Sequence, residues 1–487
     1  MIRLFCVFLS ALLIVCNSAP TKSLEEDLPN ILFLFADDYT YDAIHALGNS
    51  IIETPNLDRL VRNGTHFTNV FNMGGWNGAV CVASRSMIIT GKTIWDAKSI
   101  SDQWSKKENL EAAQQSWGKL LEQKGYHTYM TGKWHVSINP NEVFQTVRNV
   151  RPGMPRDFFK KENGKGYDRP KEGQADLWRA SDSLNGGFWE GGKHWSEVIK
   201  DDALDFLKQA DSGEAPFFMY LAFNAPHDPR QSPQSFLDRY PLNTIPLPEN
   251  WLPEYPFKDA IGNPKTLRDE ALAPFPRTPY AIKTHIKEYY AIISHLDEQI
   301  GKILDSLEAS GKADNTYIFF TSDHGLSVGK HGLLGKQSMF DHSIRVPLII
   351  TGPAIPRGKS IDHEIYLQDI MATTLELGDV STPDSIDFKS FLNLAKGKDK
   401  KPLYPEGIYG AYMNYQRMIR KDNFKLLVYP KINKVLLFDL KNDPHEMNDL
   451  SNNPEYFERT KSMFRDLINL QIKMKDTLNL SHISLKI

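Results

Sequence analysis

Several short stretches of this sequence end in side chains able to bind a cation, move a proton or attack an electrophile. The run ILFLFADD closes on Asp37 and Asp38, and NTYIFFTSDH closes on Asp323 and His324. Adjacent carboxylates repel one another unless a cation or a basic group lies between them. For such a pair taken alone, a solvated turn is the competing account. Lys133 and His135 stand two positions apart in TGKWHV, a spacing that puts both side chains on one face of an extended segment. His227 leaves the apolar run PFFMYLAFNAP between Pro226 and Pro229, so it projects from a stiffened loop at a strand end. Its near-neutral pKa suits proton transfer. A solvated lysine and packed histidines are the structural alternatives at these three positions.

Cys81 lies in GGWNGAVCVASRSMIITG. The other two cysteines, Cys6 and Cys16, fall in MIRLFCVFLSALLIVCNSA, where Arg3, an apolar run from Leu4 to Cys16 and small polar residues after it form a secretory signal pattern. The run is shorter than a membrane span, and Val15 stands where a lipoprotein cleavage box needs a small residue. An exported chain, periplasmic or secreted and cut near Ser18 and Ala19, is therefore expected, with a lipid anchor as the lesser alternative. Such maturation leaves Cys81 alone, with no intramolecular disulfide to form. A free thiol in an oxidising compartment mispairs or oxidises, so the bland account of an inert buried cysteine has to be weighed against its surroundings.

The elements that would carry these groups read as α/β. Five apolar residues before Asp37 suggest a strand buried on both faces, with the acids at its carboxyl end, where an open α/β sheet places its ligands. Thr54-Pro55 opens a helix and Phe67 to Phe71 returns as a strand. The segment from Leu120 ends a helix, turns at Gly125 and enters a short strand reaching Lys133 and His135. Residues 288–310 place Tyr289, Ile292, Ile293, Leu296, Ile300, Ile303, Leu304 and Leu307 at helical spacing, with His295 an ordinary helix residue. The polar stretch 141–192 reads as a long inserted loop. Its aromatics Tyr167, Trp178, Phe188 and Trp189, together with Trp76, either stack on sugar rings or pack the loop against the domain. From about Glu376 the texture changes to short antiparallel strands and a terminal helix from Pro454 to about Leu480.

Composition closes off other classes. Against 57 Lys and Arg stand 60 Asp and Glu, a formal charge of -3, which gives no basis for a nucleic-acid partner or an acidic tail. With 41% hydrophobic residues and a mean hydropathy of -0.41, the chain can build a large core but not a membrane bundle, and no stable membrane partner is expected. A length of 487 residues accommodates a large α/β domain with a smaller appendage. No dinucleotide-binding glycine signature, repeat or zinc-spaced histidine cluster competes.

Cys81, Ala83, Ser84, Arg85 and Gly91 together resemble the signature of the type I formylglycine-dependent sulfatases, a family of the alkaline-phosphatase-like superfamily that includes polysaccharide and iduronate sulfatases. Ala83 departs from the proline commoner at that place. The resemblance implies a large central mixed β-sheet flanked by helices over residues 28–375. A smaller C-terminal α+β subdomain with an antiparallel sheet would follow over 376–487, after a signal peptide at 1–19. It implies that a formylglycine-generating or sulfatase-maturing enzyme oxidises Cys81 to formylglycine (3-oxoalanine). The hydrated aldehyde would then offer one hydroxyl to attack sulfur and a second whose deprotonation expels sulfate.

The same resemblance gives Arg85 the task of neutralising and orienting this group, Lys133 a contact to it and His135 the removal of its proton. His227 becomes a sulfate contact and general acid, and Lys336 in HGLLGK holds sulfate oxygens. Asp37, Asp38, Asp323 and His324, with residue 81, match the positions that bind calcium; magnesium is the other hard cation suited to them, and histidine is the less typical ligand. Such an ion polarises sulfate oxygens and depresses the pKa of the attacking hydroxyl. Trp76 and His331 are candidate substrate contacts, Lys330 a solvated neighbour. The expected reaction is sulfate ester hydrolysis on a sulfated carbohydrate. The rivals are a formylglycine-dependent phosphonate or phosphodiester hydrolase and an inactive anionic-glycan-binding protein.

Overall fold

The computed structural model describes residues 28–155, 166–184 and 187–485; the expected signal segment lies outside them. Its strands are β1 (Asn30–Asp37), β2 (Thr65–Phe71), β3 (Gly74–Gly75), β4 (His127–Lys133), β5 (Thr146–Arg151), β6 (Trp189–Glu190), β7 (Lys193–His194) and β8 (Phe217–Pro226). They continue as β9 (Thr316–Ser322), β10 (Arg345–Thr351), β11 (Lys359–Ile361), β12 (Ile365–Tyr366), β13 (Ile408–Tyr412), β14 (Gln416–Lys421), β15 (Phe424–Tyr429) and β16 (Lys434–Asp439).

The larger sheet runs β11-β2-β10-β9-β1-β8-β4-β5, with β12 also paired to β2. Its centre, β9 to β5, is parallel, and β10 lies antiparallel to both β9 and β2. Strands β1 and β8 are buried along their whole length, as a continuous apolar pattern requires of strands covered on both faces. Alternation sorts the side chains between two cores. Leu32, Leu34 and Ala36 pack with helices Pro55–Asn63, Trp195–Asp211 and Pro279–Ala309. Ile31, Phe33 and Phe35 pack with helices Val80–Thr90, Trp117–Gln123 and Asp369–Leu377.

The core helix begins at Pro279 rather than near Glu288. Pro279 occupies the first turn, where its missing N–H costs nothing, and Thr278 Oγ1 accepts from Ala281 N at 3.1 Å. His295 is no ordinary helix position: it is buried, with Nε2 3.3 Å from Glu197 Oε1 and its ring against His194. The inserted stretch 141–192 contains β5, a parallel edge strand on β4. Phe188 is fully buried and stacks on Trp195, and Trp178 is buried as well, so these two aromatics pack the insertion against the domain.

The second sheet runs β16-β15-β14-β13-β3. Strands β13 to β16 form an antiparallel meander, whereas β3 joins from the far end of the sequence, parallel to Ala411 and Tyr412. At Gly74 (φ 94°) a Cβ would lie 2.1 Å from Ala411 O, so only glycine fits. Helix Phe457–Lys473 covers this sheet and stops short of Leu480. Lys475 turns left-handed, and Asp476 accepts from Leu478 N and pairs with Arg417, a local side-chain bond that competes with helix continuation. Among the described residues no helix is long and apolar enough to cross a membrane.

Candidate active site

The carboxyl ends of β9, β1, β8 and β4 lie side by side and bring the sequence-selected groups together. Asp37 closes β1, Lys133 closes β4, and His227 and Asp323 follow β8 and β9. Asp37, Asp38, Lys133, Asp323 and His324 are fully buried, His227 and Lys336 nearly so, and His135 is half-buried. Asp38 and His135 both hold left-handed backbone, φ 68° and 57°. For non-glycine residues this costs about 1–3 kcal/mol each and is found where surrounding structure enforces it.

Cys81 sits in the first turn of helix Val80–Thr90, whose N-cap residue Ala79 supplies no side-chain cap. The helix end therefore offers positive potential to residue 81. Cys81 Sγ lies 3.2 Å from His135 Nδ1. Burial alone would raise the Cys81 thiol, but Lys133, His135 and Lys336 hold it well below the usual range.

Each acid at the sheet edge faces a lysine or an arginine, and Asp38 and Asp323 also face His324, at 3.3 and 3.6 Å. Lys133 Nζ contacts Asp37 Oδ2, Lys336 Nζ donates to Asp38 Oδ1 at 2.8 Å, and Arg85 Nε donates to Asp323 Oδ2 at 2.9 Å. Asp37 Oδ1, Asp38 Oδ2, His324 Nε2 and one Arg85 amino group remain buried without a hydrogen-bond partner. Burial, then repulsion from Asp323, pushes the Asp37 carboxyl well up, and burial raises Asp38 despite Lys336 and His324. Asp323 goes the other way: burial opposes its charge, but His324, Arg85 and Lys133 outweigh it. Burial lowers His324, yet Asp323 and Asp38 bring it up to about 9.

Three buried carboxylates, two of them with an orphaned oxygen, suit a hard, oxygen-seeking cation. Asp37, Cys81, Asp323 and His324 offer donor atoms within 4.8 Å of one another, as do Asp37, Asp38 and His227.

The geometry adds detail at two of these positions. Arg85 reaches Asp323 and, at 2.9 Å, the Lys133 carbonyl, so it orients residue 81's surroundings through the acid and the β4 end. His227 donates Nδ1–H to the Asp228 carbonyl at 2.6 Å, while burial and then Lys336, Lys133 and Arg268 hold it well below its usual range. Its Nε2, 3.8 Å from Asp38 Oδ2, carries a lone pair and must gain a proton before it can give one.

His331 is buried and held by its neighbours. It stacks on Phe340 with centroids 3.9 Å apart, and Nε2 donates to the Glu446 carbonyl at 3.1 Å. Burial lowers it to about 4. Lys330 is not solvated; it pairs with Asp42 at 2.5 Å. Trp76 is packed into the core of the second sheet and lines a surface groove of about 660 Å³ with Trp95, Met413 and Asn414. Sequence reading missed Asp228, Arg268 and Asp269, which form an ion-paired string beside His227. Asp228 adjoins His227 and was within reach; Arg268 and Asp269 arrive from a distant loop without a local signal.

A family model described as Sulfatase matches residues 29–380, and one described as N-sulphoglucosamine sulphohydrolase, C-terminal, matches residues 329–473. The chain belongs to the sulfatase family. It is 27% identical to an N-acetylglucosamine-6-O-sulfatase of Bacteroides thetaiotaomicron, over 96% of this chain and 90% of that protein. An arylsulfatase of Clostridium perfringens is 29% identical over 90% of this chain and 94% of its own. A solved structure of a protein in complex with its substrate D-glucosamine-2-N,6-O-disulfate superposes with a TM-score of 0.72 at 27% identity, covering 93% of this chain and 99% of that one. This sulfatase therefore has the alkaline-phosphatase-like fold and is a sulfuric ester hydrolase.

Proposed function

We propose that this sulfatase removes sulfate from a sulfated carbohydrate, with residue 81 as the nucleophile in its formylglycine form. The observation that carries the reading is the 3.2 Å approach of Cys81 Sγ to His135 Nδ1, inside a buried ring of acids, lysines and a helix N-terminus. Two similar proteins support a sugar substrate: the N-acetylglucosamine-6-O-sulfatase and the glucosamine disulfate complex. The leader at 1–19 makes the enzyme an exported one, and Ala83 requires a maturing enzyme that accepts alanine.

Oxidised to formylglycine, residue 81 would supply one hydroxyl to attack sulfur and a second to discharge the bound sulfate; Cys81 Sγ marks the place of the attacking oxygen. Calcium, or magnesium, would be held by Asp37, Asp38, Asp323 and His324 and would polarise sulfate oxygens. His135 is placed to take the proton from residue 81. Lys133 and Lys336 bring positive charge to the sulfate oxygens. His227 faces the leaving oxygen and donates to it once Nε2 is protonated. Arg85 keeps Asp323 in place.

The test is the intact mass of the Cys81 peptide from protein made in its own host, joined to turnover of sulfated saccharides with a phosphodiester control. Formylglycine is about 18 Da lighter than cysteine, and the modified enzyme should prefer the sulfate ester. Preference for phosphorus would replace the reading with that of a diesterase. Unmodified cysteine in active enzyme would remove the proposed nucleophile, and binding of an anionic glycan by an inactive unmodified protein from its own host would replace hydrolysis with recognition.

A further inference from the structure

The lysine assigned to the sulfate oxygens is held by the C-terminal sheet, through two glutamines. Gln416, the first residue of β14, is fully buried. Its Oε1 accepts from Met339 N at 3.0 Å, and its Nε2 donates to the carbonyls of Gln337 at 2.9 Å and Ile261 at 2.8 Å. Gln337 continues the chain of bonds. Its Oε1 accepts from Lys336 N at 3.0 Å, and its Nε2 donates to the Gly78 carbonyl at 2.9 Å and to Asp269 Oδ2 at 2.5 Å.

Backbone N–H groups only donate and carbonyls only accept, so both amides have a forced orientation. Glutamate would lose the donors and an apolar side chain both functions. Gly335 leaves the room this arrangement needs, since a Cβ there would lie 2.3 Å from Gln337 Oε1. On the other side of the same turn, Glu270 accepts from Gly335 N at 2.9 Å. Lys336 therefore emerges from a backbone pinned on both sides. The Gly78 carbonyl belongs to the loop that enters the Cys81 helix.

We propose that Gln337 and Gln416 are positioning residues, through which the C-terminal sheet sets Lys336 against the nucleophile loop. The proposal rests on the reading of Lys336 as a sulfate contact. Neither glutamine touches the reacting atoms. Their effect is to fix the main chain from which Lys336 reaches Asp38.

The decisive experiment is a double-mutant cycle on the matured enzyme, reading kcat/KM for a sulfate ester and the inhibition constant of free sulfate. Gln416→Met should lower kcat/KM at least tenfold and weaken sulfate inhibition by a similar factor. In a Lys336→Ala background, the same change should add less than a threefold penalty. Gln416→Asn, which retains both amide functions on a shorter side chain, serves if the methionine variant does not fold and should show the same dependence on Lys336. Unchanged kcat/KM in the folded variants, or penalties that multiply, would overturn the proposal and leave the glutamines as packing. An intact Lys336→Ala enzyme would instead overturn the reading of the sulfate site, a failure visible before either glutamine is altered.

Discussion

Two buried clusters of charge lie on either side of the segment that carries Lys336, and they are balanced differently. In the cluster of Asp341, Arg420, Lys425 and Glu446, every acid is met by base. Lys425 contacts Asp341 Oδ1 and lies 2.7 Å from Glu446 Oε1, while Arg420 lies 3.0 Å from Asp341 Oδ2 and 2.7 Å from Glu364. Asp341 N donates to Glu446 Oε2 at 2.7 Å. Burial opposes the Asp341 charge, but Lys425 and Arg420 hold its carboxyl well below the usual range. Asp37, equally buried, is pushed well above that range. Burial is therefore not what separates a clasp from a binding site. The difference is in how many polar atoms lack a hydrogen-bond partner: Asp37 Oδ1, Asp38 Oδ2, His324 Nε2 and one Arg85 amino group at the first cluster, against Glu446 Oε1 at the second, where Lys425 Nζ still lies 2.7 Å away.

The comparison is broken most severely at the unmatched cluster. Asp323→Asn should cut kcat/KM by about 10³-fold, since it removes a proposed cation ligand and the anchor of Arg85 together; near-normal turnover would mean that Asp323 only organises the fold. Next comes Asp341→Ala at the matched cluster. It takes one of two carboxylate partners from both Lys425 and Arg420 in the interior, leaving Glu446 and Glu364, and the expected cost is about 3 kcal/mol in chemical denaturation. A smaller effect, joined to lost activity, would move this cluster into the reaction.

Calcium titration sharpens the contrast. A cation that binds only the folded protein, at a hundredfold excess over its Kd, stabilises it by about 2.7 kcal/mol. Wild-type protein should show that rise in melting temperature and Asp38→Ala should not. Equal responses would put the cation elsewhere.

Per pH unit, the smallest effect belongs to Asp369, whose carboxylate accepts from Tyr366 N, Lys389 N and Tyr404 Oη. Burial outweighs these bonds and raises it from 3.8 to about 7. Between those values the folded state keeps a proton that the unfolded state has released, so this contribution to stability is complete below pH 4 and disappears as pH rises to about 7. Asp369→Asn should flatten the stability profile across that window by up to about 1 kcal/mol per pH unit. An unchanged slope would show that the carboxyl is already ionised.

Much of the catalytic end was legible because each group sits directly beyond a strand, and apolar runs announce strands locally. Asp37, His227 and Asp323 could be placed from such runs alone. The burial of β1 and β8 follows from the same pattern. What escaped was tertiary. The helix start at Pro279 was missed because it depends on Thr278 as a cap. The packing of His331 escaped because nothing nearby in sequence reveals Phe340 stacked over its ring or the Glu446 carbonyl on its Nε2. Arg268 and Gln416 lie in stretches with no special composition, and their partners come from other loops. Sequence periodicity reports which face of an element is covered, whereas these residues matter for what they touch across elements.

The short strand β3 also sets an order of events. Gly74 and Gly75 lie just ahead of the Cys81 helix, yet their sheet partners, Ala411 and Tyr412, are among the last parts of the chain to be made. Once that sheet closes, Cys81 is 2% exposed, too enclosed for another protein's active site to reach. Any chemistry a second enzyme did on its side chain would therefore have to precede that burial. A chain that folds first seals in an unaltered thiol, and only unfolding would give it another chance.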